Sequence, residues 1–129
     1  MKEEREEWME MACDSFASAE KLFEEGRLRS SASRAYYSMY QAAQAILVRA
    51  GVQPSKRGNW GHLATVECLD GNAKTHLQRY GFRSLPMRQR LARAFDLRCD
   101  ADYNPWARFD GPTIRDALRF AGQFLRSAK

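Results

Sequence analysis

Residues 30–47 read SSASRAYYSMYQAAQAIL. Ala32, Ala35, Tyr36, Met39, Ala43 and Ile46 recur at three- and four-residue steps, and Ala50 continues the stripe. Beside it, Tyr37, Tyr40, Gln44 and Leu47 make the adjoining face apolar as well. A helix apolar over so much of its circumference is buried from several directions, by its own domain and often by a second subunit. Its alanines let neighbouring helices approach closely. The pattern predicts a central helix from Ser30 to Ala50, stopped by Gly51 and Pro54.

The flanking sequence supplies its neighbours. From about Glu3 to Glu25, Trp8, Ala12, Ser15, Phe16, Ala19, Leu22 and Phe23 form one apolar stripe, and Gly26 suits the C-terminal cap. Residues 52–59, VQPSKRGN, read as an exposed basic loop. Asn59 then suits the cap of a helix from about Trp60 to Tyr80, weakened at Gly71 and Asn72. Ser84 caps a further helix, with Pro86 in its first turn and Leu91, Ala94, Phe95 and Arg98 on one face. YNPWARFDGP, with two prolines and a glycine, breaks regular helix. Asp110 to Pro112 opens the last helix, whose stripe is Ile114, Leu118, Ala121, Phe124 and Leu125. No strand alternation or internal repeat interrupts this order. The expected fold is all-α, an antiparallel up-and-down bundle of about five helices in one domain over residues 1–129.

Composition narrows the function classes. Of the 129 residues, 44% are hydrophobic, enough for one core. No apolar run reaches the roughly 18 residues of a membrane span. The N-terminal MKEEREEW is too charged for a secretory signal, so the reading is cytoplasmic, with no membrane partner. Cys13, Cys68 and Cys99 are odd in number and widely spaced, which fits neither a disulfide framework nor a zinc site. No metal or cofactor is expected. The net charge of +5 is uneven: residues 1–30 hold nine acids and five bases, a net of −4, whereas residues 31–129 net +9. The densest basic stretch, 79–98, holds Arg79, Arg83, Arg88, Arg90, Arg93 and Arg98 against Asp96 alone. Such a field suits phosphate backbones or an acidic protein surface, and equally a solvated helix face.

The chemistry concentrates in LARAFDLRCDADYNPW, residues 91–106. Arg98 continues the apolar face of its helix, so its guanidinium is directed toward a groove, where a charge must be paired or meet an anion. Asp102 lies one turn later and Tyr103 adds a hydroxyl. Two readings stand. In one, Arg98 and Asp102 pair to pin the helix end while Tyr103 bonds a backbone group. In the other, the three residues form a polar pocket for phosphate. Arg34 shares a helix edge with Tyr37 and Gln41, where aromatics can stack on bases or pack in a core or interface. His62, following the basic loop, is a candidate acid/base or anion ligand, or simply a polar surface residue.

SxASRAYYSMYQAAQAILVRAG, a basic loop with a histidine, and then LRxxADY before a final helix together resemble the HEPN (higher eukaryotes and prokaryotes nucleotide-binding) family, in its small prokaryotic single-domain branch. The likeness runs from about Ala19 to Leu125. It implies a helical bundle that forms a homodimer and brings the polar motifs of two subunits to a shared cleft. It also implies a minimal nucleotidyltransferase as a possible partner, within a toxin–antitoxin pair. Many members are metal-independent RNases whose motif is an arginine followed, after four to six residues, by a histidine. The arginine maps onto Arg98, and Tyr103, Asn104 and Pro105 stand where the histidine would fall. Histidine serves acid/base chemistry because its pKa lies near neutrality, whereas tyrosine titrates near 10.

The leading expectation is a homodimer that binds nucleotide, RNA or a nucleotidyltransferase partner in a toxin–antitoxin or defence setting. Its ligand site would be Arg98, Asp102, Tyr103 and Arg34. The alternatives are an endoribonuclease toxin, with Arg98, Tyr103 and His62 as catalytic candidates, and a purely structural helical dimerisation module.

Overall fold

The computed structural model describes residues 3–51, 61 and 84–129. Its helices are α1 (Glu4–Glu24), α2 (Leu28–Arg49), α3 (Ser84–Tyr103) and α4 (Gly111–Ala128), and the described residues contain no strand. The expected all-helical fold is present. The helix expected over 60–80 and the loop over 52–59 lie outside the described residues, as do His62, His76 and Cys68.

Helix ends follow from their local sequence. Gly26 adopts φ +76°, a conformation costly for any residue with a Cβ. It lets the Gly26 N–H reach Phe23 O at 3.0 Å and the Arg27 N–H reach Leu22 O at 2.8 Å, which satisfies the last carbonyls of α1. The chain therefore turns back at once, and α2 starts at Leu28, two residues before the expected Ser30. At the far end of α2, Gly51 takes φ +79° and its N–H bonds Val48 O at 3.0 Å. Asp110 caps α4 by accepting from the Thr113 N–H at 2.8 Å, with Pro112 in the first turn. That backbone hydrogen bond holds the Asp110 carboxyl below its ordinary pKa. Arg5 donates to Ala128 O at the other end of α4, and Arg49 to Lys129 O.

The expected central helix is central. α2 packs on α1, α3 and α4, and its pairings run antiparallel to α1 and α3. Close approach of α1 and α2 relies on small residues: Ala12 and Ala19 face Ala35, Ala42 and Ala43, all fully buried. Ser31 and Gln41, two polar side chains in this seam, find partners. Ser31 Oγ donates to Ala19 O at 2.8 Å. The Gln41 amide, with its nitrogen turned toward α1, donates to Ser15 Oγ, Met11 O and Tyr37 O. On α4, Ile114, Ala121, Phe124 and Leu125 are buried as the stripe requires. Leu118 is only half-buried, because Ala117 takes the inward position beside it. No described helix is long and apolar enough to cross a membrane.

Candidate functional site

The face shared by α2 and α3 gathers most of the residues that the sequence singles out. Packing begins underneath, with Tyr36, which is 3% exposed. Its ring meets Tyr37 at 5.3 Å, Phe95 at 5.6 Å and Tyr40 at 6.0 Å between centroids, and Tyr40 in turn meets Trp8 edge-on. This aromatic ladder fixes the spacing of α2 and α3 and sets the floor on which two guanidinium groups rest. Arg34 lies 4.6 Å and Arg98 5.4 Å from the centroid of Tyr37. Each contact is attractive because the ring face is electron-rich.

Arg98 is the hub. Its Nε stands 3.1 Å from Asp102 Oδ2, one turn along α3. The same Nε is buried and has no hydrogen bond of good geometry, so charge rather than a directed N–H holds this pair. Asp102 Oδ2 also accepts a long bond from Ser33 Oγ across on α2. Arg98 Nη2 donates to the Tyr103 hydroxyl at 3.5 Å, and its guanidinium lies over the Tyr103 ring at 5.4 Å. Burial opposes the charge on Arg98, but Tyr37, Tyr103 and Asp102 outweigh it, and its pKa lies above the ordinary value. The group is a fixed cation.

Arg98, Asp102, Tyr103 and Arg34 therefore do come together, with Tyr37 between the two arginines. One expectation is corrected. Tyr103 bonds Arg98 rather than a backbone group, and the residue is 72% exposed. The Arg98–Asp102 pair is present in the last turn of α3, and a second group also fastens that helix end. This is Arg29, from the first turn of α2. Its Nη1 donates to the carbonyls of Asp100, Ala101 and Asn104 at 3.1, 2.8 and 3.0 Å, and its Nη2 to Ala107 at 3.1 Å. Phe109 stacks on the same guanidinium at 5.2 Å. The Asn104 side chain closes the turn by accepting from the Trp106 N–H at 3.0 Å. The sequence places Tyr37 beside Arg34 but not beside Arg98, and it carries no signal for Ser33 or Arg29. His62 lies outside the described residues. Among the described residues no three of His, Cys, Asp and Glu gather as a metal site.

Burial, followed by the neighbouring Tyr40, pushes the Tyr36 pKa well above its ordinary value of 10.0. A folded-state pKa above that of the unfolded chain gives stability that is complete below about pH 10 and declines as pH rises toward the folded value. Tyr36→Phe is expected to make stability fall less steeply with pH in that alkaline range. Urea titrations of both proteins at stepped pH check this; parallel slopes would show that Tyr36 is not the group responsible.

Comparison with known proteins agrees with this architecture. A model of the HEPN domain matches residues 5–129. A UPF0332 protein of Pyrococcus horikoshii is 46% identical over 54 residues, a stretch covering 42% of this chain and 38% of that protein. The match thus spans well under half the length of that relative. Given a helical bundle with RAYYSMYQAA on its central helix facing LRCDADY on α3, and a family match over nearly its whole length, the chain belongs to the HEPN domain family.

Proposed function

We propose that this HEPN protein works as a homodimer and uses the Arg98 cluster to bind phosphate groups of a nucleotide or an RNA. The observation that carries the reading is the pair of guanidinium groups stacked on Tyr37 against one nearby carboxylate, Asp102. Arg34, Arg98 and Asp102 together carry a net charge of +1. Arg98 and Arg34 neutralise phosphate, Asp102 orients Arg98, and the exposed Tyr103 ring offers a stacking face and a hydroxyl. The net charge of +9 over residues 31–129 supports attraction of a polyanion. Membership of the family supports a toxin–antitoxin or defence setting, with a minimal nucleotidyltransferase as the protein partner to test.

The test is fluorescence anisotropy with a labelled RNA oligonucleotide, using wild type, Arg98→Ala and Arg98→Lys, with folding checked by circular dichroism. Arg98→Ala is expected to weaken binding by about 10- to 30-fold, the scale of one charge-assisted contact, and to flatten the salt dependence. Arg98→Lys keeps the charge but not the planar fork, and recovers only part. Equal affinity for wild type and Arg98→Ala would sink the proposal. Electrophoresis of the same RNA reads cleavage, and product that disappears only with Arg98→Ala would make the protein an endoribonuclease instead.

A further inference from the structure

On a different face of α3, toward α4, lies a cavity of about 150 Å³ that the reading above does not use. Its α3 wall is Arg90, Arg93, Ala94 and Leu97, and its α4 wall is Thr113, Asp116, Ala117 and Phe120. Both sets follow the same three- and four-residue steps, so each helix presents one continuous strip. Met39 of α2 forms the floor and is fully buried. The space exists because the inward positions of both walls are alanines, Ala94 at 4% and Ala117 at 7% exposure, and α3 and α4 touch only sparingly.

The rim is chemically one-sided. Arg90 is held still: its Nη1 donates to Gln123 Oε1 and its guanidinium lies 4.3 Å over Phe120. Arg93 is exposed and makes no ion pair with any described residue. Across the opening, the carboxylate of Asp116 is drawn to Arg119 at 3.4 Å. Positive charge therefore dominates the mouth, above a floor of methyl and methylene groups. A cavity of this size accommodates one six-membered ring. A fully apolar molecule would leave the two guanidinium groups without use, and a bare phosphate would leave the floor without contact.

We infer that this cavity binds a small organic carboxylate with a ring-sized apolar body, the body against Met39, Ala94 and Ala117 and the carboxylate at Arg93 and Arg90. The site is separate from the Arg98 cluster. Benzoate is the probe, benzyl alcohol its uncharged counterpart, and the Met39 methyl resonance of the whole protein the reporter. Benzoate is expected to shift that resonance saturably with a dissociation constant on the order of 1 mM or tighter. Benzyl alcohol should bind about tenfold more weakly, and Arg93→Gln should weaken benzoate by about fivefold or more. Arg93 is exposed, so this variant keeps the fold. Arg98→Ala should leave benzoate binding unchanged, which separates failure here from failure at the other site. The inference is overturned by a shift that never saturates, by equal binding of the alcohol, by an unaffected Arg93→Gln, or by loss with Arg98→Ala.

Discussion

Tyr36→Ala is expected to lower the unfolding free energy by about 3–5 kcal/mol, the range for deleting a buried aromatic ring. The ring is 3% exposed and lies between α2 and α3, touching Tyr37, Tyr40 and Phe95. Its neighbours cannot collapse into the gap. Tyr37 is held by Arg34 and Arg98 on the outside, and Phe95 is fixed on α3. The cavity term therefore adds to the lost transfer energy in full. Tyr36→Phe keeps the ring and is expected to cost no more than about 1 kcal/mol. Urea unfolding monitored by circular dichroism gives both numbers, and an unchanged slope with denaturant shows that only stability moved. A loss below about 1 kcal/mol for Tyr36→Ala would mean that the ladder is not the support of this face.

The Arg98 cluster is coupled to that core through one ring. Tyr37 is half-buried, packs on Tyr36 from within and receives both guanidinium groups from without. Long, flexible arginine side chains ordinarily lose rotamer entropy when they meet a ligand. Stacked on a fixed ring, Arg34 and Arg98 have lost much of it beforehand, so under the proposed function a phosphate would meet donors already in place. The same arrangement explains how an arginine can be largely covered where Asp102 is its ion-pair partner among the described residues. The ring face and the Tyr103 hydroxyl supply the remaining electrostatic support.

What the sequence reveals of this molecule divides by the range of the interaction. Gly26, Gly51 and Asp110 act within a few residues of themselves, so the ends they set are legible from composition alone. The stripes of α1, α2 and α4 are legible because helical period alone decides which residues face inward. The Arg98–Asp102 pair is legible for the same reason, since its partners are four apart on one helix. Membership of Tyr37 in the site is not, because it depends on the register of α2 against α3. Arg29 is harder still: its acceptors are backbone carbonyls 71 to 78 positions away. Every residue carries a carbonyl, so no residue type in the sequence marks these four. Of the two readings of this stretch, neither could include Arg29, because its bonds to the end of α3 join distant parts of the chain.

Arg29→Ala is accordingly expected to cost about 2–4 kcal/mol, although nothing around Arg29 in the sequence marks it as special. The guanidinium answers the last carbonyls of α3, where the helix dipole favours a cation, and it bridges to Asn104 and Ala107 beyond the helix. Its loss opens Asp100 O to Ala107 O to water and releases Phe109 from its stacking partner. Because several of these carbonyls are near the surface, water recovers part of the energy. The estimate therefore falls below the sum of four charged hydrogen bonds. Arg29→Lys should regain less than half of the loss, since an ammonium cannot spread two parallel nitrogens over acceptors on both the helix end and the loop. The distinctive readout is local. Amide hydrogen exchange should speed up from Asp100 to Phe109 well beyond the change in α1, while the α1–α2 seam keeps its protection relative to the global value. Asp102 and Tyr103 stand in the last turn that Arg29 holds, so RNA affinity at the Arg98 cluster should fall in the same variant under native conditions. If exchange rises evenly through the chain, Arg29 contributes to stability in general and does not specifically hold the turn that carries Asp102 and Tyr103.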